Sequence, residues 1–296
     1  MLSFIYTTTS NGRLCQNHCL SLLLKNRKMT NNIALRFLGW PIKLVKIVQS
    51  SIKYSSVIYF GAPSVLALLG IDVRPGLNGY YSQMGQDELV NTFFSSAICK
   101  NTFPKIFIDV GCNDPIIHSN SYFFEHDLGF QVLAIDALPQ IQLMWKHKRP
   151  MASFVECAVG SSEGLVSFDH VDGTSVESMF SSVSGFSAKA QSQEKLTCNI
   201  TQRTLANVFK DANITSAGIL SMDIEGYEME ALRGIDFKAF MAYILIIENN
   251  AGDGLGSNRL RDYLLERGYI YFARIWNLDD IFIHSSIVKF YAHSNC

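Results

Sequence analysis

The 296-residue sequence predicts a doubly wound, mostly parallel α/β sheet with a helical N-terminal arm, and three observations carry that reading. Short runs rich in Ile, Val, Leu and Phe recur and are nearly continuous in apolar residues, the pattern of strands buried on both faces. Stretches of helical character lie between them, so strand and helix alternate. The composition, 48% apolar and 17% charged with 25 basic against 26 acidic residues, lets the chain bury enough surface to offset its entropy and excludes wholesale disorder.

The series of elements begins at KIFIDV (105–110), a strand stopped by Gly111. Residues 119–128 have helical character, QVLAI (131–135) is a second strand, 139–147 a helix and 154–159 a third strand. Strands 165–170 and 196–200 flank a segment rich in Ser, Gly and Gln, 172–194, that reads equally as a substrate lid or a surface loop. Strand GILSM (218–222), helix 227–233, strand YILII (243–247), helix 258–267 and strands 269–274 and 280–283 complete the series. The length fits one large domain with an appendage, and the division falls between an arm, 1–79, and a body, 80–296.

Charge separates the two parts. Residues 1–71 hold eight basic residues and no Asp or Glu, which leaves 17 basic against 26 acidic residues in the remainder. Within the arm, Leu35, Leu38, Ile42, Val45, Val48 and Ile52 recur at spacings of three and four, while Arg36, Lys43, Lys46 and Lys53 share another face. That is an amphipathic basic helix, entered or kinked at Pro41, which either packs on the body or lies on an anionic membrane. The apolar run 57–71 has 15 residues, includes Gly61 and Pro63, and is shorter than a bilayer span requires, so it is expected as a buried segment or a peripheral membrane contact.

No clean signal peptide opens the chain, although its Ser/Thr-rich, acid-free start leaves an organellar address open. Seven cysteines form no CxxC pair, so reduced thiols are expected, in a cytoplasmic setting with or without membrane association. No His stands in an HxxxH or HxH arrangement, and no metal is expected.

In a doubly wound sheet a ligand sits beyond the carboxyl ends of the strands. Four strands deliver acids there: Asp109, Asp136, Asp223 with Glu225, and Glu248. A dinucleotide site would present GxGxxG to hold pyrophosphate on backbone N–H groups, whereas here Asp109 precedes a lone Gly111. A carboxylate at that point repels phosphate and suits a cation. S-adenosylmethionine carries a sulfonium, an ammonium, a ribose diol and no phosphate, and Asp136 at the second strand's end is able to accept both ribose hydroxyls. Acids at strand ends also serve as helix caps and loop solvators.

Several stretches resemble the FkbM-type S-adenosylmethionine-dependent methyltransferases: GQDELV from Gly85, FIDVGCNDP from Phe107, SNSYFFE from Ser119, LAIDALPQ from Leu133, CAVG from Cys157 and TQRTL from Thr201. The most specific is LSMDIEGYEMEALRGID from Leu220, followed by IIE at Ile246 and DDIFI at Asp279. The resemblance implies a Rossmann-like class I methyltransferase fold and O-methyl transfer to a sugar or other small hydroxylated acceptor. It implies that Asp109, Gly111, Cys112 and Asn113 lie under the methionine part of the cofactor, that Asp136 binds ribose, and that 156–158, with Ala158, lies near adenine. Two positions depart from the family pattern. Asn113-Asp114-Pro115 stands where the family has Asn-Asp-Gly, and Asp136-Ala137 where it has Glu-Pro.

Methyl transfer to oxygen needs a base at the acceptor and alignment of the reacting atoms. Asp223 and Glu225, at a strand-to-loop turn, are the expected pair, with Asp223 as base or cofactor contact and Glu225 orienting the acceptor. The competing reading makes Asp223 a helix cap and 225–230 ordinary helix acids; Glu228, three residues after Glu225, is expected either to support the site from behind that pair or to be a first-turn helix acid. Glu248 is expected either as an acceptor contact or as a residue bonded to loop N–H groups, and His118 either as an acceptor-side residue or as a solvated loop histidine. Ser119 and Asn120 read as a helix cap that also reaches the cofactor carboxylate. Cys112 is expected to fill space, since a thiol among acids is not activated. Nucleic acid is not expected as a partner of so acidic a body. A methyltransferase-like fold kept as a binding or trafficking module is the rival to an enzyme.

Overall fold

The computed structural model describes residues 57–59, 79–99, 102–170, 181–184, 196–250, 256–275 and 278–287. The predicted arm helix at 35–52, and most of the segment 172–194, lie outside the described residues.

An eight-stranded sheet forms the body. Its strands are β1 (Val57–Tyr59), β2 (Ile106–Val110), β3 (Gln131–Asp136), β4 (Ser153–Glu156), β9 (Ser216–Met222), β10 (Met241–Glu248), β11 (Tyr269–Ile275) and β12 (Asp279–His284). Their spatial order is β1-β11-β12-β10-β9-β2-β3-β4. All neighbours run parallel except β12, which lies antiparallel between β10 and β11. Order reverses between β2 and β9, the switch point of a Rossmann-like sheet, and the crevice beyond the strand ends lies there. Three residues of the predicted arm, 57–59, stand in this sheet as its edge strand.

Alternation within the strands explains why they read as unbroken apolar runs. Phe107, Ala134, Ile219 and Ile246 pack on one face with Phe94 and Phe124, while Ile108, Val110, Leu133, Leu220, Leu245 and Ile247 pack on the other with Phe209, Leu232 and Leu264. Both faces are therefore covered, and each strand alternates between two cores rather than between core and water. The covering helices are α1 (Gln86–Cys99), α2 (Tyr122–His126), α3 (Pro139–Lys148), α4 (Leu205–Asp211), α5 (Glu228–Arg233) and α6 (Asn258–Leu265). Helices α1 and α4 are additional to the elements expected from the sequence. Thr204 caps α4 by accepting from Asn207 N–H, and α1 begins in a turn organised by Asp87, which accepts from the N–H groups of Tyr81 at 2.6 Å and Ser82 at 3.1 Å.

The expected third strand, 154–159, is two strands. Residues 153–156 stay in the main sheet, and beyond Cys157 the chain enters a second sheet. That sheet comprises β5 (Ala158–Val159), β6 (Gly164–His170), β7 (Ser182–Val183) and β8 (Leu196–Arg203), in the order β5-β8-β6-β7. The two strands flanking the Ser/Gly-rich segment thus pair antiparallel with each other, from Gly164 opposite Gln202 to His170 opposite Leu196.

The switch point is tight. Gly111 has φ +74°, and a Cβ on it would stand 1.8 Å from the Asp223 carbonyl oxygen. Only glycine accommodates that backbone approach. Gly129 has a similar φ of +68°, but a Cβ at that position would meet nothing within 4 Å. Gly111→Ala is therefore expected to destabilise the protein by about 2–4 kcal/mol, against about 1 kcal/mol for Gly129→Ala. Urea unfolding of the two variants side by side measures the difference, and equal losses would contradict the close approach.

Candidate active site

The first turn after β2 has already spent the groups a phosphate would need. Gly111 N–H and Cys112 N–H donate to the Ile135 carbonyl at 2.9 and 3.3 Å, and Asn113 N–H donates to Asp136 Oδ2 at 3.1 Å. The next helix, α2, begins eleven residues after Gly111 and has only 5 residues, so the turn does not lead directly into a helix N-terminus as a dinucleotide-binding turn does. Asp109, one residue before the end of β2, is 4% exposed, and its Oδ2 has no hydrogen-bond partner among the described residues. Burial raises its pKa to about 6, against the opposing influence of the Ser121 hydrogen bond and the Arg149 charge.

Two adjoining cavities open at this turn and share Gly111, Asn113, Asp223 and Glu225. The first, about 610 Å³ including open solvent, is largely apolar, with Ile135, Leu138, Ile141, Val159 and Phe168 in its wall and Asp136 and Ala158 at its side. The second, about 600 Å³, is polar and includes Asp109, Cys112, His118, Ser119, Asn120 and Gln86. An apolar chamber joined to a polar one fits a ligand with a flat heterocycle at one end and charged groups at the other.

Asp136, the last residue of β3, accepts Leu138 N–H on Oδ1 and Asn113 N–H on Oδ2, both at 3.1 Å. The Ala137 N–H adds a third bond, and a carboxylate with about four acceptor sites keeps room for a further donor. Burial raises its pKa to about 6 despite these bonds. Beyond β9 the carboxylate oxygens of Asp223, Glu225 and Glu248 lie within 4.8 Å of one another. Desolvation, then the charges of Glu248, Glu225, Asp279 and Glu228, raise the Asp223 pKa well above the usual carboxylate range. The Asp223 residue is itself exposed to the cleft, with Glu225 and Glu248 beside it.

Residues 109–271 match the family model described as the methyltransferase FkbM domain. The chain belongs to this family. Similar solved structures include the FkbM methyltransferase of Methylobacillus flagellatus KT, at 16% identity and TM-score 0.37, covering 62% of this chain and 44% of that one. The chain thus spans less than half the length of that relative. A TehB-like SAM-dependent methyltransferase from Corynebacterium glutamicum ATCC 13032 Kitasato matches at 14% identity and TM-score 0.35, covering 74% of this chain and 92% of the other. No curated protein matches.

In this FkbM family member the expected site residues fall into two groups. Asp109, Cys112 and His118 line the polar cavity, Asp136 and Ala158 the apolar one, and Gly111, Asn113, Asp223 and Glu225 both. Glu248 lines neither but completes the carboxylate trio. Cys112 is buried, and desolvation followed by the charges of Asp136 and Asp109 raises its thiol pKa well above normal, so it fills space. Asp223 does not cap α5: the N-cap residue is Tyr227, without a side-chain cap bond. Glu228 instead turns back to accept from Ile224 and Gly226 N–H, both at 3.0 Å, and so shapes the turn that carries Glu225. Asn113, His118 and Glu225 all have positive φ, of 38°, 60° and 55°. Strained backbone at three cavity-lining non-glycine residues is the concentration expected where a loop is shaped for a ligand.

Pro115 does not line either cavity. Asp114 Oδ1 accepts from Ile116 and Ile117 N–H, both at 2.8 Å, and this turn carries the proline away from the cleft. The sequence reading expects no metal on the strength of Cys and His spacing, yet three clustered carboxylates are a donor set that a hard cation can bridge, and one common without an ion. Residues absent from the sequence reading are Phe168 and Ser181 from the second sheet and its border, and Asp279, whose Oδ2 accepts from Gln86 Nε2 at 2.5 Å. The DDIFI stretch carried Asp279, and the Ser/Gly-rich segment 172–194 carried Ser181; nothing local signalled Phe168.

Asp109 and Asp136 near 6, Asp279 near 7 and Glu228 near 8 all lie above their unfolded values. The folded state therefore holds protons that the unfolded chain releases, and stability falls as pH rises through this window. The melting temperature of the ligand-free protein is expected to rise as pH is lowered from about 8.5 to about 5.5. Glu228→Gln, which keeps the accepting oxygen, is expected to flatten the upper part of that profile. A melting temperature that falls over the interval would show these acids to be ionised without cost.

Proposed function

We propose that the protein transfers a methyl group from S-adenosylmethionine to the hydroxyl of a small acceptor such as a sugar. The observation that carries the reading is Asp109: a buried carboxylate oxygen without a partner among the described residues, beside a turn whose Gly111, Cys112 and Asn113 N–H groups are spent. Such a site disfavours phosphate and favours a cationic group able to donate hydrogen bonds. When bound, S-adenosylmethionine supplies a methyl group on a positively charged sulfur.

The residues present fit that molecule. Asp109 would receive its ammonium, the remaining acceptor capacity of Asp136 its ribose, and the wall of Leu138, Ile141 and Phe168 its adenine. The chain's own task is to hold the acceptor hydroxyl and accept its proton. Asp223 suits that step, because desolvation and the charges of Glu248 and Glu225 raise its proton affinity well above that of an ordinary carboxylate. Glu225, held at φ 55° by the turn that Glu228 shapes, orients the acceptor from beside it.

Calorimetric titration with S-adenosylmethionine and S-adenosylhomocysteine, followed by transfer of labelled methyl to a panel of hydroxylated acceptors, tests the reading. Asp109→Asn and Asp136→Asn are expected to weaken cofactor binding by about tenfold or more. Asp223→Asn is expected to leave cofactor affinity within a few-fold and to lower kcat by about 10²–10⁴. An absence of saturable binding at millimolar cofactor would overturn the proposal and favour a non-catalytic binding module, and displacement by NADH would overturn it in favour of a dinucleotide site.

A further inference from the structure

We propose that Arg149, with Trp145 one turn before it, is a positioning residue that sets the shape of segment 113–121 for the amino-acid end of the cofactor. The inference rests on the cofactor reading above and goes beyond it by naming what holds the polar cavity in form.

The segment has neither helix nor strand between β2 and α2, and no glycine occurs from Cys112 to Leu128. It nonetheless carries positive φ at Asn113 and His118. A β-carbon-bearing chain holds such angles only where its surroundings over-determine them. The end of α3 supplies the surroundings. Trp145 Nε1 donates to the Asn113 carbonyl at 2.8 Å. Arg149 Nη1 donates to the Pro115 carbonyl at 3.0 Å, to Ser119 Oγ at 3.2 Å and to Ser121 Oγ at 2.9 Å. Its Nε pairs with Glu125 of α2, and its guanidinium carbon sits 4.1 Å from the centre of the Trp145 ring. Lys148 adds an ion pair to Asp114 at 3.5 Å.

Trp145 and Arg149 are 1% and 4% exposed, and neither lines either cavity. Their partners do, or stand next to residues that do. Asn113 and Ser119 belong to the polar cavity's wall, and Ser121 bonds the Asp109 carboxyl inside it. Apart from that to Glu125, the side-chain hydrogen bonds of Arg149 all fall on the segment that shapes the polar end, and none falls on Phe168, Val159 or Ala158 at the apolar end. A planar fork with several fixed donors suits that task in a way a lysine ammonium does not.

Selective loss at one end of the ligand distinguishes positioning from general stability. The full chain is titrated with S-adenosylhomocysteine, which has the amino-acid tail, and with 5′-methylthioadenosine, which lacks it. Arg149→Met is expected to weaken S-adenosylhomocysteine binding tenfold or more while 5′-methylthioadenosine stays within twofold, and Arg149→Lys to restore only part of the loss. Trp145→Phe keeps the ring under the guanidinium and deletes one donor, so a smaller loss of the same selectivity is expected. It decides the matter if Arg149→Met does not fold. Equal weakening of both ligands, or none, would overturn the inference. Wild-type protein that binds neither would instead overturn the cofactor reading on which it rests.

Discussion

The backbone of Gly111 lies against the Asp223 carbonyl with no room for a Cβ between them, and most of the site follows from that contact. It brings the end of β2 against the end of β9, where Asp223 N–H also donates to the Val110 carbonyl at 3.0 Å. With the strand ends locked at that spacing, one cleft serves both the turn below Asp109 and the carboxylates beyond β9. The two cavities share Gly111, Asn113, Asp223 and Glu225 because these residues form the ridge between them. A wider approach would leave two unrelated surface hollows.

Electrostatics then divides the site. Asp109 and Asp136 influence each other across β2 and β3, while Asp223, Glu225, Glu228, Glu248 and Asp279 form a second group across β9, β10 and β12. Gathering so many acids costs folding free energy, and part of that cost is offset beneath the site. Arg261 and Arg274 both bond Asp280 in full burial, and Arg274 also donates to the Asn249 carbonyl at 3.1 Å, next to Glu248. Arg149 plays a corresponding part behind Asp109. Buried cations with fixed partners keep the carboxylates close without placing a positive charge in the cleft itself.

Much of this was legible in one dimension. KIFIDV, QVLAI, GILSM and YILII are strands because they pack on both faces, and their acids share a rim because parallel strands in register end together: Val110 pairs with Ile135 and with Met222, and Met222 with Ile247. Helix α1 was less visible because its residues SSAIC near the end lack a clear stripe, and its start depends on Asp87 reaching back to a turn. The break at Cys157 left no trace, since residues on either side are equally suited to a strand and only pairing with β8 assigns Ala158 and Val159 to another sheet.

The sequence by itself determined the alternation of strands and helices, the acids at the strand ends, and the family, because these depend on residue type at short spacing. Tertiary structure alone decided that Pro115 stays out of both cavity walls, that Glu228 shapes the turn carrying Glu225, and that Arg149 grips a loop far before it in the chain. Those outcomes rest on hydrogen bonds between groups distant along the chain, whose partners are fixed only when the sheet has closed and the helices have docked on it.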